Sequence, residues 1–188
     1  MAGSTGAASS LRRYVSERPA VRTALGSFAF AVGVNAAWAL PWGLLRPGQR
    51  VTVAADGRVY SDAAAIAQQF PQYALWVIAS SAVAMVLGMG AYRRCPAAPS
   101  LWTMAAVVGS AAIGALMAFD LGNWLSMIAH PVPDLHDIEV GDSAMIAVTL
   151  TGRVGVLAAA GVAALSYWVS VGVSEQPPAA EQSAPARH

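Results

Sequence analysis

Two ionisable residues lie inside apolar stretches of this chain, Asp120 and Arg153. A charge in hydrocarbon is costly, so such a residue normally faces the interior of a helix bundle and finds a partner there. Asp120 stands four residues before Trp124, and Arg153 fifteen before Trp168. At the helical rise, the acid falls ~6 Å below one aromatic belt and the base ~22 Å above the other. Both depths lie in the same part of a hydrocarbon core ~30 Å thick. An Asp120–Arg153 ion pair between the third and fourth spans is therefore expected. Asn35, Thr149 and Thr151 reach a similar level, and Asn123 lies one turn above Asp120. Such a layer locks helix register, or it handles a proton or ligand from one face. A carboxylate beside an arginine is held ionised and carries protons poorly. The packing role is the expectation, and the ligand site is the alternative.

A second group with chemical potential is His130-Pro-Val-Pro-Asp134-Leu-His136-Asp137-Ile-Glu139. Imidazole and carboxylate suit divalent zinc or manganese, so His130, His136, Asp137 and Glu139 are the candidate ligands. Pro131 and Pro133 keep the start extended, and the two histidines cannot share a helical face. The spacing matches no metal motif, so a solvated acidic segment without metal is expected. The sequence contains no P-loop, GxSxG or HExxH pattern. His130, His136 and His188 all fall outside the apolar stretches, which argues against haem ligation within them. The lone Cys95 rules out an intramolecular disulfide and a CxxC centre. Neither a cofactor nor an enzymatic activity is expected.

Four apolar runs must position these residues, at about 23–45, 73–92, 101–128 and 144–173. Each reaches the ~20 residues that cross a bilayer as helix, and the last two have length to spare for tilt. They are Ala- and Leu-rich rather than alternating, which favours helices over barrel strands. Of 188 residues, 56% are hydrophobic and 11% charged, with a mean hydropathy of +0.52. Soluble domains carry roughly 25% charged residues, so much of this surface must face lipid. The fold class expected is all-α: a polytopic membrane protein with four transmembrane helices and a small extracytoplasmic cap. A net charge of +1 gives no polyelectrolyte signature, and nucleic acid is not an expected partner. The first run is too long for a cleaved signal peptide and is interrupted by Asn35, so it is expected to remain.

Charge sets the threading. Segment 1–22 holds Arg12, Arg13, Arg18 and Arg22 against Glu17, and the turn after the second run holds Arg93 and Arg94. Both should be cytoplasmic. External loop 129–143 carries Asp134, Asp137, Glu139 and Asp142 with no base. External loop 46–72 is the weak point, because Arg46, Arg50 and Arg58 outnumber Asp56 and Asp62. Trp38, Trp42, Trp76 and Trp124 mark an outer aromatic belt; Tyr92, Trp102, Tyr167 and Trp168 mark an inner one. In the first loop, Arg50-Val-Thr-Val53 and Arg58-Val-Tyr-Ser61 flank Asp56-Gly57, which predicts a hairpin. Ser61 or Asp62 would then cap a short helix through 63–69. The tail 174–188 is rich in Pro, Ala, Gln and Ser and is expected to be disordered in the cytoplasm.

Small residues at four-residue spacing predict close helix packing. They are Ala29, Gly33 and Ala37 in the first run, and Ala105 with Gly109, overlapped by Ser110 with Gly114, in the third, while Gly152 and Gly155, three apart, thin one side of the fourth. These faces serve contacts within the chain or with another membrane protein or a second copy.

The layout has a counterpart. A Trp- and Pro-rich boundary, Trp38-Ala-Leu-Pro41-Trp42, precedes Val-Thr-Val and Asp56-Gly57. An Arg-containing turn, a small-residue third span, an acidic Pro-containing segment and an Ala- and Gly-rich fourth span follow. Over roughly 22–173 this resembles an uncharacterised family of four-span integral membrane proteins from high-GC actinobacteria, defined by a domain of unknown function. The resemblance implies a cell-membrane protein and brings no active residue with it. The function expected is a non-enzymatic accessory or scaffold component of a membrane or cell-envelope complex. A small transporter or lipid-like ligand binder using the polar layer is the alternative. Membrane lipids are the expected surroundings in either case.

Overall fold

A computed structural model describes residues 19–54, 58–61, 67–94, 100–131, 141, 143–147 and 150–174. Four helices carry it: α1 (Pro19–Leu44), α2 (Gln69–Arg94), α3 (Leu101–Ala129) and α4 (Val154–Ser174). Each is long and apolar enough to cross a membrane. Ser100 starts α3 by accepting a hydrogen bond from the Thr103 amide at 3.2 Å, which supplies a partner for an amide of the first turn. Arg93 and Arg94 close α2, where a positive charge suits the negative end of the helix dipole.

α1 packs chiefly on α3, and α2 on α4, with further contacts between α3 and α4, α2 and α3, and α1 and α2. Much of the apolar surface points outward: Ile78, Leu157 and Leu165 are all more than 60% exposed. In water this would be an extensive sticky surface, whereas hydrocarbon is a natural solvent for it. Inside, an aromatic cluster occupies one end of the bundle. Trp76 is fully buried, with its ring centroid 4.7 Å from Phe119 and 5.2 Å from Tyr73. Its indole N–H donates to the Ala115 carbonyl at 3.2 Å. Ala31, Ala84, Ala111, Ala159 and Ala163 fill much of the remaining core. With such small side chains the helices can approach closely.

Above the aromatic end sits an antiparallel sheet of three strands, β1 (Gln49–Val53), β2 (Val59–Ser61) and β3 (Ser143–Ile146), in the order β2-β1-β3. The β1–β2 hairpin has Val53 opposite Val59, and the Ala54 amide donates to the Arg58 carbonyl at 2.9 Å. Its turn, at 55–57, lies outside the described residues, as do 63–66 of the short helix expected after it. The tails, 1–18 and 175–188, lie outside them too.

β3 corrects the fourth run. The sequence reading began a span at 144, but Ser143–Ile146 pairs with β1, Gln49 opposite Ile146, and α4 starts only at Val154. Ile146 and Thr151 are β-branched, which suits an extended chain better than a helix. Gly152 then adopts φ +98°, a left-handed conformation that ends any backward extension of α4. Arg153 therefore stands at the entrance of the fourth helix and not within it.

The packing faces need a second correction. Ala29, Gly33 and Ala37 point away from the bundle, and nothing lies within 4 Å of where a Gly33 Cβ would be. The buried stripe of α1 is Ser27, Ala31, Asn35, Ala39 and Gly43, which has the same four-residue spacing two positions away. Two residues turn a helix by about 200°, so periodicity alone does not say which stripe faces inward. In α3, Ser110 and Gly114 are buried, while a Cβ on Gly109 would meet nothing. Gly155 meets the Trp76 ring, and Gly152 serves the turn rather than a helix contact. Trp42 and Trp76 also leave the predicted outer belt, because both are core residues, whereas Trp124 is 54% exposed.

Candidate functional site

Arg46 is two residues beyond the end of α1, yet it is only 4% exposed. Close contact between α1 and α3 draws it inward: a Cβ on Gly43 would lie 2.7 Å from the Gly122 carbonyl oxygen. The guanidinium then spans the end of α3. Nε donates to Ser126 Oγ at 3.3 Å, and Nη2 donates to the Gly122 carbonyl at 3.3 Å and to Asn123 Oδ1 at 2.9 Å. Cζ sits 4.8 Å from the Trp42 ring centroid, within cation–π range. Nη1 is buried without a hydrogen-bond partner. Among the described residues no carboxylate contacts this cation. Burial pulls the guanidinium below its usual pKa, although an arginine stays charged at any working pH.

Asn123 holds the next layer. Its Nδ2 donates to the Leu150 carbonyl at 3.3 Å, and its Oδ1 also accepts from the Leu150 amide at 3.2 Å. It thus ties the strand-to-helix segment before α4 to α3. On the far side of that segment, the Tyr73 hydroxyl accepts from the Gly155 amide at 2.9 Å, satisfying a free N–H of the first turn of α4.

Beside Arg46 a cleft of about 20 Å³ opens, lined by Arg46, Gln49, Gln68, Gln69, Gln72 and Leu150 together with Pro47. That is room for about one water molecule. Gln69 Nε2 donates to Gln49 Oε1 at 3.5 Å, and the Gln72 carbonyl accepts from Trp42 Nε1 at 3.3 Å. No family model matches this chain, and no curated protein or solved structure matches it either. Geometry and chemistry alone therefore describe the site.

The polar layer expected from sequence divides into separate parts. Asp120 and Arg153 do meet, with Arg153 Nη2 donating to Asp120 Oδ1 at 3.1 Å. The pair is on the outside of the bundle, however, with Arg153 65% and Asp120 51% exposed. Asn123 joins Arg46 and not Asp120. Asn35 is isolated, its Nδ2 turned back to the Ala31 carbonyl at 2.9 Å and its Oδ1 buried without a partner. Thr151 is exposed, and Thr149 lies outside the described residues. Of the metal candidates, His130 caps α3 through its amide on the Ser126 carbonyl at 3.0 Å, and its ring packs over Gly48. His136, Asp137 and Glu139 lie outside the described residues, and no group of three metal-ligating residues occurs among the described ones.

Arg46 escaped the sequence reading because it was counted as one of three loop arginines. Its signal was position: four residues after Trp42 and immediately before Pro47-Gly48, it cannot reach far from the helix end. A double-mutant cycle measures the exposed pair. The Asp120→Arg and Arg153→Asp exchange, compared with either single change in detergent, should recover about 0.2–1 kcal/mol of coupling, the range for exposed ion pairs. Zero coupling would mean that the two groups do not act on each other.

Proposed function

We propose that this chain is a non-enzymatic integral membrane protein that supports or assembles with a larger membrane or cell-envelope complex, docking through its sheet end. The observation that carries this reading is the open edge of β3. Among the described residues β3 pairs with β1 alone, which leaves its other edge for a partner strand, and Ser143 and Met145 are exposed on this strand. Such an edge accepts a strand from a partner or must be covered. The bundle interior supports the same reading, since Trp76 and Phe119 fill the space where a transport path would run.

In this reading both termini are cytoplasmic and the sheet is external. Removing the buried Arg46 from the loop count leaves Arg50 and Arg58 against Asp56 and Asp62, which eases the charge conflict of that loop. Membership of the actinobacterial four-span family would be in keeping with this placement. The alternative role, ligand binding, is favoured by the Arg46 cleft rather than by the Asp120–Arg153 pair.

Affinity purification in a mild detergent after cross-linking tests the proposal. A stoichiometric partner should accompany the wild type and be lost from Met145→Lys, because lysine on an edge strand opposes strand addition. Recovery of the chain alone, or equal recovery of the partner with both proteins, would overturn docking at β3. Tags at the two ends should report from one compartment.

A further inference from the structure

We propose that the groove between the C-terminal ends of α2 and α4 binds an anionic phospholipid, with the phosphate on Arg93 and an acyl chain along Met89 and Val169. The groove has a cause in the packing. At Gly88 the two helices are in close contact, since a Cβ there would lie 2.7 Å from the Ala163 carbonyl oxygen. One turn further on, Tyr92 brings a large ring against α4. That ring stands edge-on to Tyr167, with centroids 6.2 Å apart, and its hydroxyl bonds Ser174. Beside it a space of about 300 Å³ opens, which reaches the roughly 300–1,000 Å³ of small-molecule sites.

The lining is graded along its length. Met89 and Val169 lie one turn deeper in the bundle than Arg93 and Val173, about 6 Å at the helical rise. Met89, Val169 and Val173 are exposed, and so form an apolar wall open to lipid. Trp102 and Trp168, exposed at the same end of the bundle, mark the headgroup level. The mouth of the groove therefore meets headgroups and its floor meets acyl chains. At the mouth, Ser170 donates to the Ser166 carbonyl and Ser174 to the Val171 carbonyl, which makes Tyr92 the donor to Ser174. A hydroxyl has one proton, so all three are committed within the chain. Arg93 supplies the charge and the donors instead: it is exposed, and a guanidinium presents five N–H groups in a fork that fits phosphate. Basic pockets between membrane helices at this level suit anionic headgroups. A free anion would leave the apolar floor unused, whereas a phospholipid fills both parts. The site lies at the opposite end of the bundle from the sheet and does not depend on docking at β3.

The test uses the full chain in an uncharged detergent, with phosphatidylglycerol or phosphatidylcholine added stepwise. Thermal unfolding should shift upward along a saturating curve with phosphatidylglycerol and much less with phosphatidylcholine. Native mass spectrometry should retain phosphatidylglycerol on the protein. Arg93→Gln should weaken its affinity about tenfold, as expected for losing a charged hydrogen-bonding partner. Arg94→Gln removes the same charge from the same helix end but not from the groove, and should leave the affinity unchanged. Val173→Trp fills the groove from an exposed position, and should abolish the response while leaving the protein folded. Glycerol phosphate, which has no acyl chain, should give no shift.

Several results would overturn the site. The two lipids could stabilise equally, or Arg93→Gln and Arg94→Gln could weaken phosphatidylglycerol alike, which would reduce the effect to the general charge of that helix end. Saturable stabilisation by glycerol phosphate would assign Arg93 to a soluble anion. A response untouched by Val173→Trp would place the lipid elsewhere. A phosphatidylglycerol response that appears only after Glu175→Gln would show that the chain supplies its own partner for Arg93.

Discussion

Replacing Trp76 with alanine should destabilise the bundle by about 3–5 kcal/mol, the range for truncating a buried tryptophan. This side chain is fully buried, packs on Phe119 and Tyr73, and bonds the Ala115 carbonyl. Gly155 exists in its present form because of it, since a Cβ there would lie 2.3 Å from the ring. In a bilayer the gain from excluding water is small, because lipid tails are as apolar as the core. The loss therefore comes from the cavity, the dispersion contacts and the orphaned Ala115 carbonyl. Trp76→Phe should lose much less, keeping the ring contacts without the N–H. Denaturant titration in mixed micelles reads both. A Trp76→Ala protein within about 1 kcal/mol of wild type would show that the aromatic cluster does not hold the helices together.

The second large effect is expected at Gly88. A Cβ there would approach Ser166 Oγ at 2.2 Å, the Ala163 carbonyl oxygen at 2.7 Å and the Tyr167 amide nitrogen at 3.0 Å. Two of these atoms are backbone, so the neighbour cannot simply rotate away. Gly88→Leu should separate α2 from α4 and cost about 3 kcal/mol, the upper part of the range for overpacking. Gly33→Leu is the matched control, because nothing lies within 4 Å of its missing Cβ. It should change monomer stability by no more than about 0.5 kcal/mol, and leucine's better helix propensity works in its favour. Equal losses at the two glycines would remove the distinction drawn between the inward and outward faces of these helices.

That distinction marks where sequence stops being informative. The four helices were readable because the hydrocarbon thickness demands length and apolar composition, and both are one-dimensional properties. The β1–β2 hairpin was readable because strand-prone residues flank a turn pair. Which stripe of α1 faces inward was not, because Ala29-Gly33-Ala37 and Ala31-Asn35-Ala39 have equal spacing and similar size. β3 was hidden for a related reason. Met145, Ile146 and Ala147 raise the hydropathy of a window as strand residues do, and as helix residues do too. Asp120 and Arg153 were brought together by depth counting, yet depth carries no azimuth, and the pair lies outside the bundle. Arg46 was the reverse case. Its loop address suggested water, and only the contact of Gly43 with Gly122 shows that the chain folds it inward.

The composite sheet also dictates an order of events during synthesis. Its central strand is made early, between α1 and α2, while the strand that completes one side arrives only after α3. Until α3 is finished and β3 delivered, the nascent protein shows an unfilled seam. Sealing it joins a segment made early to one made late, with two helices synthesised in between.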